Sequence, residues 1–285
     1  MPTSSADYLT IGHLTRDVTE TGYILGGTGS YASRTAISFG IKPALVTSHS
    51  QRMDLAPLNG VEIINIFSHH DTTYENIQTP AGRVQMLYET AERLTKADIP
   101  DGLRRTPIVH IGPMANEVDE EIILVFSPDT LIGITPQGWM RRQLPDKHVG
   151  YQPWQPSEVM VKRADVVIIS DEDVKKDESV IHDYAQLFKL LVVTEGFNGA
   201  RVYWHGDARH FSAPKMDVLD PTGAGDIFAA VFLIRLKATD DPWQAAETAV
   251  RLASLSVTRK GLDSVPTIEE VKSSLMEIIK GSSSQ

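Results

Sequence analysis

The stretch Asp220 to Phe232 reads DPTGAGDIFAAVF, with two glycines, an alanine and two carboxylates inside seven residues and apolar sequence straight after. Gly223, Ala224 and Gly225 let the backbone turn tightly and present its N–H groups, and the apolar run from Ile227 to Leu236 predicts a buried helix starting there. Together they build an anion site. Asp226 falls in the first turn, where the helix dipole favours its ionised form, so an acceptor-only carboxylate stands beside a phosphate cradle. That pairing points to phosphoryl transfer. Because the transition state is loose, such a carboxylate orients a hydroxyl and takes its proton late, while backbone dipoles and Mg2+ carry the charge. The same residues would equally serve as a tight turn in which Asp226 caps a buried helix.

The elements that must position this stretch are legible as an alternation. Short apolar runs at 8–14, 43–48, 107–112, 131–135, 165–170 and 190–196 have the look of buried parallel strands. Helices are expected at 29–39, closed by Gly40, and at 116–127, 171–189 and 226–238. Asp241 before Pro242 starts another, and Thr267 with Glu270 forms a capping box for the last. The fold class is α/β, a doubly wound and mostly parallel sheet with helices on both faces. Residues 14–25 and 61–90 break the alternation. The second of these segments holds strand-like runs around a TPAG turn, so the two are expected to form a small β-element, a lid. A separate hairpin is expected around Gly206 and Asp207, and the terminal GSSSQ is expected to fray. Composition marks no boundary, which leaves 1–285 as a single domain.

DPTGAGD closely resembles the signature of the PfkB/ribokinase family of carbohydrate and nucleoside kinases. The resemblance makes Asp226 the catalytic base and the backbone of Gly223, Ala224 and Gly225 the anion hole. One departure is Val231, where the family has a very small residue. GGTGSYASRTAISFG (26–40) looks like the family's substrate loop, which assigns Gly26, Gly27 and Gly29 to substrate, and Asp17 matches the acid that binds sugar hydroxyls. Tyr31 replaces the asparagine of ribokinase. ADVVIISDEDV (164–174) is similar to the Asn-x-x-Glu element near Mg2+ and phosphate, with Ser170 and Asp173 in those positions. TEGFNGA (194–200) resembles the nucleotide-side loop, which adds Thr194, Gly196 and Gly199 to the nucleotide set, with Thr222 from the signature itself. TRKGLDSVP (258–266) resembles the stretch flanking adenine and, with Asp220, a monovalent cation such as K+ in some members. The lid segments TTYENIQTPAGR (72–83) and TPQGWMR (135–141) are reminiscent of the inositol-kinase-like branch. The resemblance thus implies ATP- and Mg2+-dependent phosphorylation of a hydroxyl on a small sugar, polyol or nucleoside by a monomer or homodimer.

Other classes find less in the chain. Lys and Arg number 27 against 37 Asp and Glu, a formal charge of −10 that repels nucleic acid and anionic membranes. There is no cysteine, hence no disulfide or thiolate chemistry, and no run approaches the ~20 apolar residues of a membrane span, so a cytoplasmic protein is expected. A dinucleotide fingerprint would follow the first strand directly, where GHLTRD stands instead of GGTG. No GxSxG elbow is present. The nine histidines lack carboxylates at metal-site spacing. Alone, Asp17 would read as a turn cap. The substitutions at Tyr31, Ser170 and Asp173 also admit a non-catalytic sensor that binds nucleotide and ligand on the same fold.

Overall fold

The computed structural model describes residues 6–79 and 82–275. In chain order, β1 (Tyr8–Ile11) leads into a hairpin of β2 (Thr15–Thr19) and β3 (Gly22–Gly26), followed by α1 (Thr28–Ser38), β4 (Pro43–His49) and β5 (Glu62–Phe67). A second hairpin, β6 (Thr72–Thr79) with β7 (Gly82–Glu89), precedes β8 (Ile108–Ile111) and β9 (Leu131–Ile134). The short pair β10 (Arg141–Gln143) and β11 (Val149–Tyr151) precedes α2 (Glu158–Arg163), β12 (Val166–Ser170), α3 (Glu178–Leu187) and β13 (Leu190–Thr194). Last come β14 (Ala200–Trp204), β15 (Asp207–Phe211), α4 (Ala224–Thr239), α5 (Pro242–Ser256) and α6 (Ile268–Leu275).

The main sheet has nine strands in the order β15-β14-β13-β12-β9-β8-β1-β4-β5. All neighbours from β5 to β13 run parallel, and β14 and β15 turn back antiparallel at one edge. The central strands are apolar throughout because both faces are covered. Leu9, Val109, Ile132 and Val167 pack with Met160 of α2 and Ile181 of α3. Tyr8, Ile108, Val166 and Ile168 pack on the other face against α1, α4 and α5. Every residue of α4 from Ile227 to Ile234 is buried, which is why its sequence lacks an amphipathic stripe. Gly133 in β9 is what lets α4 approach, since a side chain there would run into Leu233.

A four-stranded sheet, β3-β2-β6-β7, stands apart from the main one. It takes up residues 15–26, 72–79 and 82–89. Residues 62–67, expected in the lid, instead pair parallel with β4 as the outermost strand of the main sheet. Pro80 and Ala81 of the expected TPAG turn and the GSSSQ tail lie outside the described residues. Two helices are shorter than their apolar patterns. Within 116–127, residues 117–119 are held extended by backbone bonds to Leu94, so only Glu120–Val125 coils, as a 3₁₀ segment. The expected helix 171–189 is a 3₁₀ turn at Asp171–Val174 and then α3, divided by Lys175 and Lys176 at φ 55° and 57° and restarted by the Asp177 cap. The Asp241 cap, the Thr267–Glu270 capping box and the hairpin at Gly206 form as their sequences dictate. Among the described residues, no helix is long and apolar enough to cross a membrane.

Gly133→Ala is expected to lower stability by about 1–3 kcal/mol through overpacking. The loss should shrink in a Leu233→Ala background, where the opposing side chain is gone, as a double-mutant cycle of thermal unfolding would measure.

Candidate active site

β1, β8, β9, β12 and β13 end at one edge of the main sheet, and the four-stranded sheet hangs over that edge. Between them lies a cleft of about 430 Å³. Its floor is built from the strand exits: Met114 beyond β8, Thr135 beyond β9, Ser170 at the end of β12 and Thr194 at the end of β13. This is where open parallel sheets bind ligands.

Asp226 sits in the first turn of α4 and faces the cleft. Gly223 precedes the helix in the left-handed region at φ 81°, with the ring of Tyr31 where a side chain would be. The turn closes through the Ala224 N–H to the Pro221 carbonyl at 3.2 Å. The following amides, Gly225 and Asp226, start the helix with no carbonyl a turn earlier to bond. The Cα of Gly225 faces open space. Thr28, at the start of α1, donates its hydroxyl to Asp226 Oδ1 at 2.7 Å. Burial pushes the Asp226 carboxyl up from its ordinary 3.8 to about 6. The Thr28 bond and the Arg141 charge pull the other way, and Asp17 and Asp173 add to the rise.

The lid side of the cleft carries Thr15 and Asp17 of β2 and Tyr74 and Asn76 of β6. Thr15 Oγ1 donates to Asp17 Oδ1 at 2.9 Å. Gly26 lies opposite Thr15, and its missing side chain leaves room for the Thr15 and Asp17 side chains. Gly27 is the N-cap of α1 at φ 86° and lines the cleft. Gly29 does not reach the cleft: its Cα faces Leu45 and Leu14, so it serves the packing of α1 on the core. Tyr31 is 1% exposed, yet its hydroxyl has no partner among the described residues. Burial first, then Asp226, Asp17 and Asp220, hold that phenol protonated.

On the opposite side, Ser170 and Asp173 form a reciprocal cap, with the Ser170 N–H donating to Asp173 Oδ2 at 2.9 Å. Gln137 Nε2 donates to Asp173 Oδ1 at 2.8 Å. Thr194 and Thr222 line the cleft. Gly196 and Gly199 do not. They shape the turn from β13 to β14, where a side chain on Gly199 would strike the Phe211 carbonyl. Asp220 lies behind the turn, accepting from the Thr222 N–H at 2.9 Å and the Gly261 N–H at 3.3 Å, so it ties the α4 turn to residues 261–264. Among the described residues, no group of His, Asp or Glu is placed to hold a metal alone.

Several cleft residues had no assigned role in the sequence reading. Arg141 lies inside the quoted TPQGWMR stretch, and its guanidinium stands 5.7 Å from the Tyr74 ring. Tyr74 donates to the Met114 carbonyl at 2.6 Å. Glu117, buried, accepts from the N–H groups of His13, Met114 and Ala115 and so shapes the loop beneath the lid. Thr28 sat inside GGTG, but its partner is 198 residues away. Local spacing cannot reveal such a meeting.

Known proteins resemble this chain in part of its sequence and in its fold. Residues 158–268 match the model of the pfkB family carbohydrate kinases. The 2-dehydro-3-deoxygluconokinase of Thermoproteus tenax is 34% identical over 103 residues, 33% of this chain and 32% of that one. The fructokinase of Escherichia coli is 31% identical over 125 residues, 39% and 41% of the two chains. The chain thus spans less than half the length of these curated relatives. In three dimensions a pyrophosphate-dependent kinase of the ribokinase family, solved with a pyrophosphate analogue and myo-inositol, superposes with a TM-score of 0.77. It is 21% identical and covers 93% of this chain and 99% of its own. Its C-terminal segment thus matches the pfkB family model, and its fold is ribokinase-like.

A raised carboxyl pKa has a defined cost. The unfolded chain releases this proton near pH 3.8 and the folded chain near 6, so stability falls as pH rises through that interval and the penalty is complete above it. Asp226→Asn is therefore expected to unfold at higher temperature than the parent at pH 8, by ~1–2 kcal/mol once partial exposure is discounted. The gain should vanish by pH 4, as calorimetry across that range would measure.

Proposed function

We propose that this chain transfers the terminal phosphoryl group of ATP to a hydroxyl of a small sugar, polyol or nucleoside. The observation that carries the reading is the Asp226 carboxylate, held at the open start of α4 with a pKa near neutrality and steadied by Thr28. A general base works best when its pKa lies near the operating pH. In the proposed reaction, the substrate hydroxyl donates to Asp226 and its oxygen attacks the terminal phosphorus. The bond to the ADP oxygen breaks, and the hydroxyl proton passes to Asp226. The amides of Gly225 and Asp226, aided by Arg141, face the charge on the transferred group.

Mg2+ fits the donor set, because it keeps several waters and needs only one or two carboxylates beside the phosphates, and Asp173 and Glu172 line the cleft. It would neutralise phosphate charge. Asp220, with both oxygens already engaged by backbone N–H groups, is the candidate for a K+ site behind the turn. On the acceptor side, Asp17, which already accepts from Thr15, lines the cleft as an acceptor for sugar hydroxyls beside the close main-chain approach at Gly27. The lid resemblance favours a cyclic polyol of the inositol type, with ribose-like furanoses next.

A screen for released ADP over ribose, fructose, myo-inositol, adenosine and a deoxygluconate tests the activity. A parallel set with pyrophosphate as donor is warranted by the donor of the superposed kinase. Asp226→Asn should retain ATP affinity and lose about 10²-fold or more in kcat. Equal turnover in variant and parent would remove the assignment. ATP binding without turnover of any acceptor would favour the sensor reading.

Asp17→Ala should raise KM for the acceptor while leaving KM for ATP near the parent value, because a buried unpaired hydroxyl costs about 1–3 kcal/mol on one substrate only. Steady-state kinetics with each substrate varied in turn decides it.

A further inference from the structure

One buried polar chain beneath the cleft has no part in the reaction above. His110 lies in β8 among Ile108, Val109 and Ile111, and it is fully enclosed, as is Tyr8 on the neighbouring β1. The Tyr8 hydroxyl stands 2.9 Å from His110 Nδ1, and His110 Nε2 stands 3.0 Å from Thr135 Oγ1. Thr135 follows β9 and lines the cleft. Its hydroxyl and the methyl of Thr28 both face the Cα of Gly112, which puts Thr135 beside the residue that steadies Asp226.

The direction of this chain follows from counting protons. Burial pushes the His110 imidazole down to about 3, so at neutral pH it has one N–H and one bare nitrogen. The Tyr8 hydroxyl has His110 as its only partner among the described residues. A proton on Nδ1 would leave the Tyr8 O–H buried with nothing to accept it, so Tyr8 donates to Nδ1. The imidazole proton then sits on Nε2 and is donated to Thr135 Oγ1. The Thr135 O–H in turn finds no acceptor among the described protein groups. It caps no helix with its side chain, and the space open to it is the cleft.

We propose that Thr135 is a specificity-determining residue, a one-way hydrogen-bond donor to an oxygen of the acceptor substrate, with Tyr8 and His110 as the positioning residues that fix its direction. This rests on the kinase reading above. The oxygen it selects carries a free lone pair and lies near the hydroxyl that Asp226 deprotonates. A sugar or polyol oxygen qualifies there. A methylene or an ammonium group does not.

Two measurements test this. The first needs no substrate: two-bond proton–nitrogen NMR spectra of ¹⁵N-histidine protein, with His110 assigned by its shift in Tyr8→Phe. The expected result is a bare Nδ1 and a protonated Nε2, unchanged from pH 5 to 9. A proton on Nδ1 would turn the chain around and overturn the proposal. The second uses ATP with whichever of ribose, fructose, myo-inositol or adenosine the parent phosphorylates best. Thr135→Val should raise the acceptor KM about tenfold with little change in the ATP KM, the scale of one hydrogen bond, and Thr135→Ser should keep the parent value. Tyr8→Phe, which leaves the cleft wall intact, should shift the acceptor KM in the same direction. An unchanged acceptor KM in Thr135→Val sinks this inference alone. A parent inactive with every acceptor and both donors of the screen above sinks the kinase reading and this inference together.

Discussion

The site is organised around the cost of keeping one carboxylate out of water. Asp226 lies where protein surrounds it, and desolvation outweighs the help of Thr28 and Arg141, so its pKa settles near 6. A carboxylate left to ordinary hydration would be a weak base, and one buried without any donor would stay protonated. Asp226 lies between the two, and its state depends on the start of α4. There Gly223 takes a backbone conformation open to few other residues, and the first amides of the helix point to the place where charge is expected.

That compromise couples the two halves of the chain. Thr28 opens α1, while Asp226 lies in the first turn of α4 and Gly223 caps that helix. The Thr28–Asp226 bond and the packing of Tyr31 over Gly223 join these two helix starts. The close approach rests on small residues in the sheet beneath. Gly133 admits Leu233 of α4, and Gly112 leaves room for Thr28 and Thr135. A substrate hydroxyl and a phosphoryl donor would then meet at a junction already set before either binds, which is how positioning lowers a barrier.

The sequence discloses much of this, for physical reasons that also explain the gaps. Strands buried on both faces leave continuous apolar runs, and all six expected in the main sheet are present. Caps such as Asp241 and Thr267 act on their own neighbours and are therefore visible locally. Helix 116–127 failed because Leu94 claims the backbone of 117–119, a contact from another part of the chain. Residues 62–67 read like lid strands because an edge strand with one exposed face has the same alternation. The glycines divide in a similar way. Gly223 and Gly27 touch the cleft, whereas Gly29 and Gly199 are needed for packing and for a turn, and composition cannot tell these uses apart. Arg141, Tyr74 and Thr135 were out of reach because their importance lies in what they face.

The central claim is that Asp226 is the base and that its environment sets its working pH. The most direct measurement is a ¹³C NMR titration of the Asp226 carboxyl carbon, taken together with the pH dependence of kcat/KM for the best acceptor. The account predicts a carboxyl midpoint near 6 and an acid limb of kcat/KM at the same pH. A carboxyl that titrates near 4, or an acid limb that does not follow it, would contradict the account.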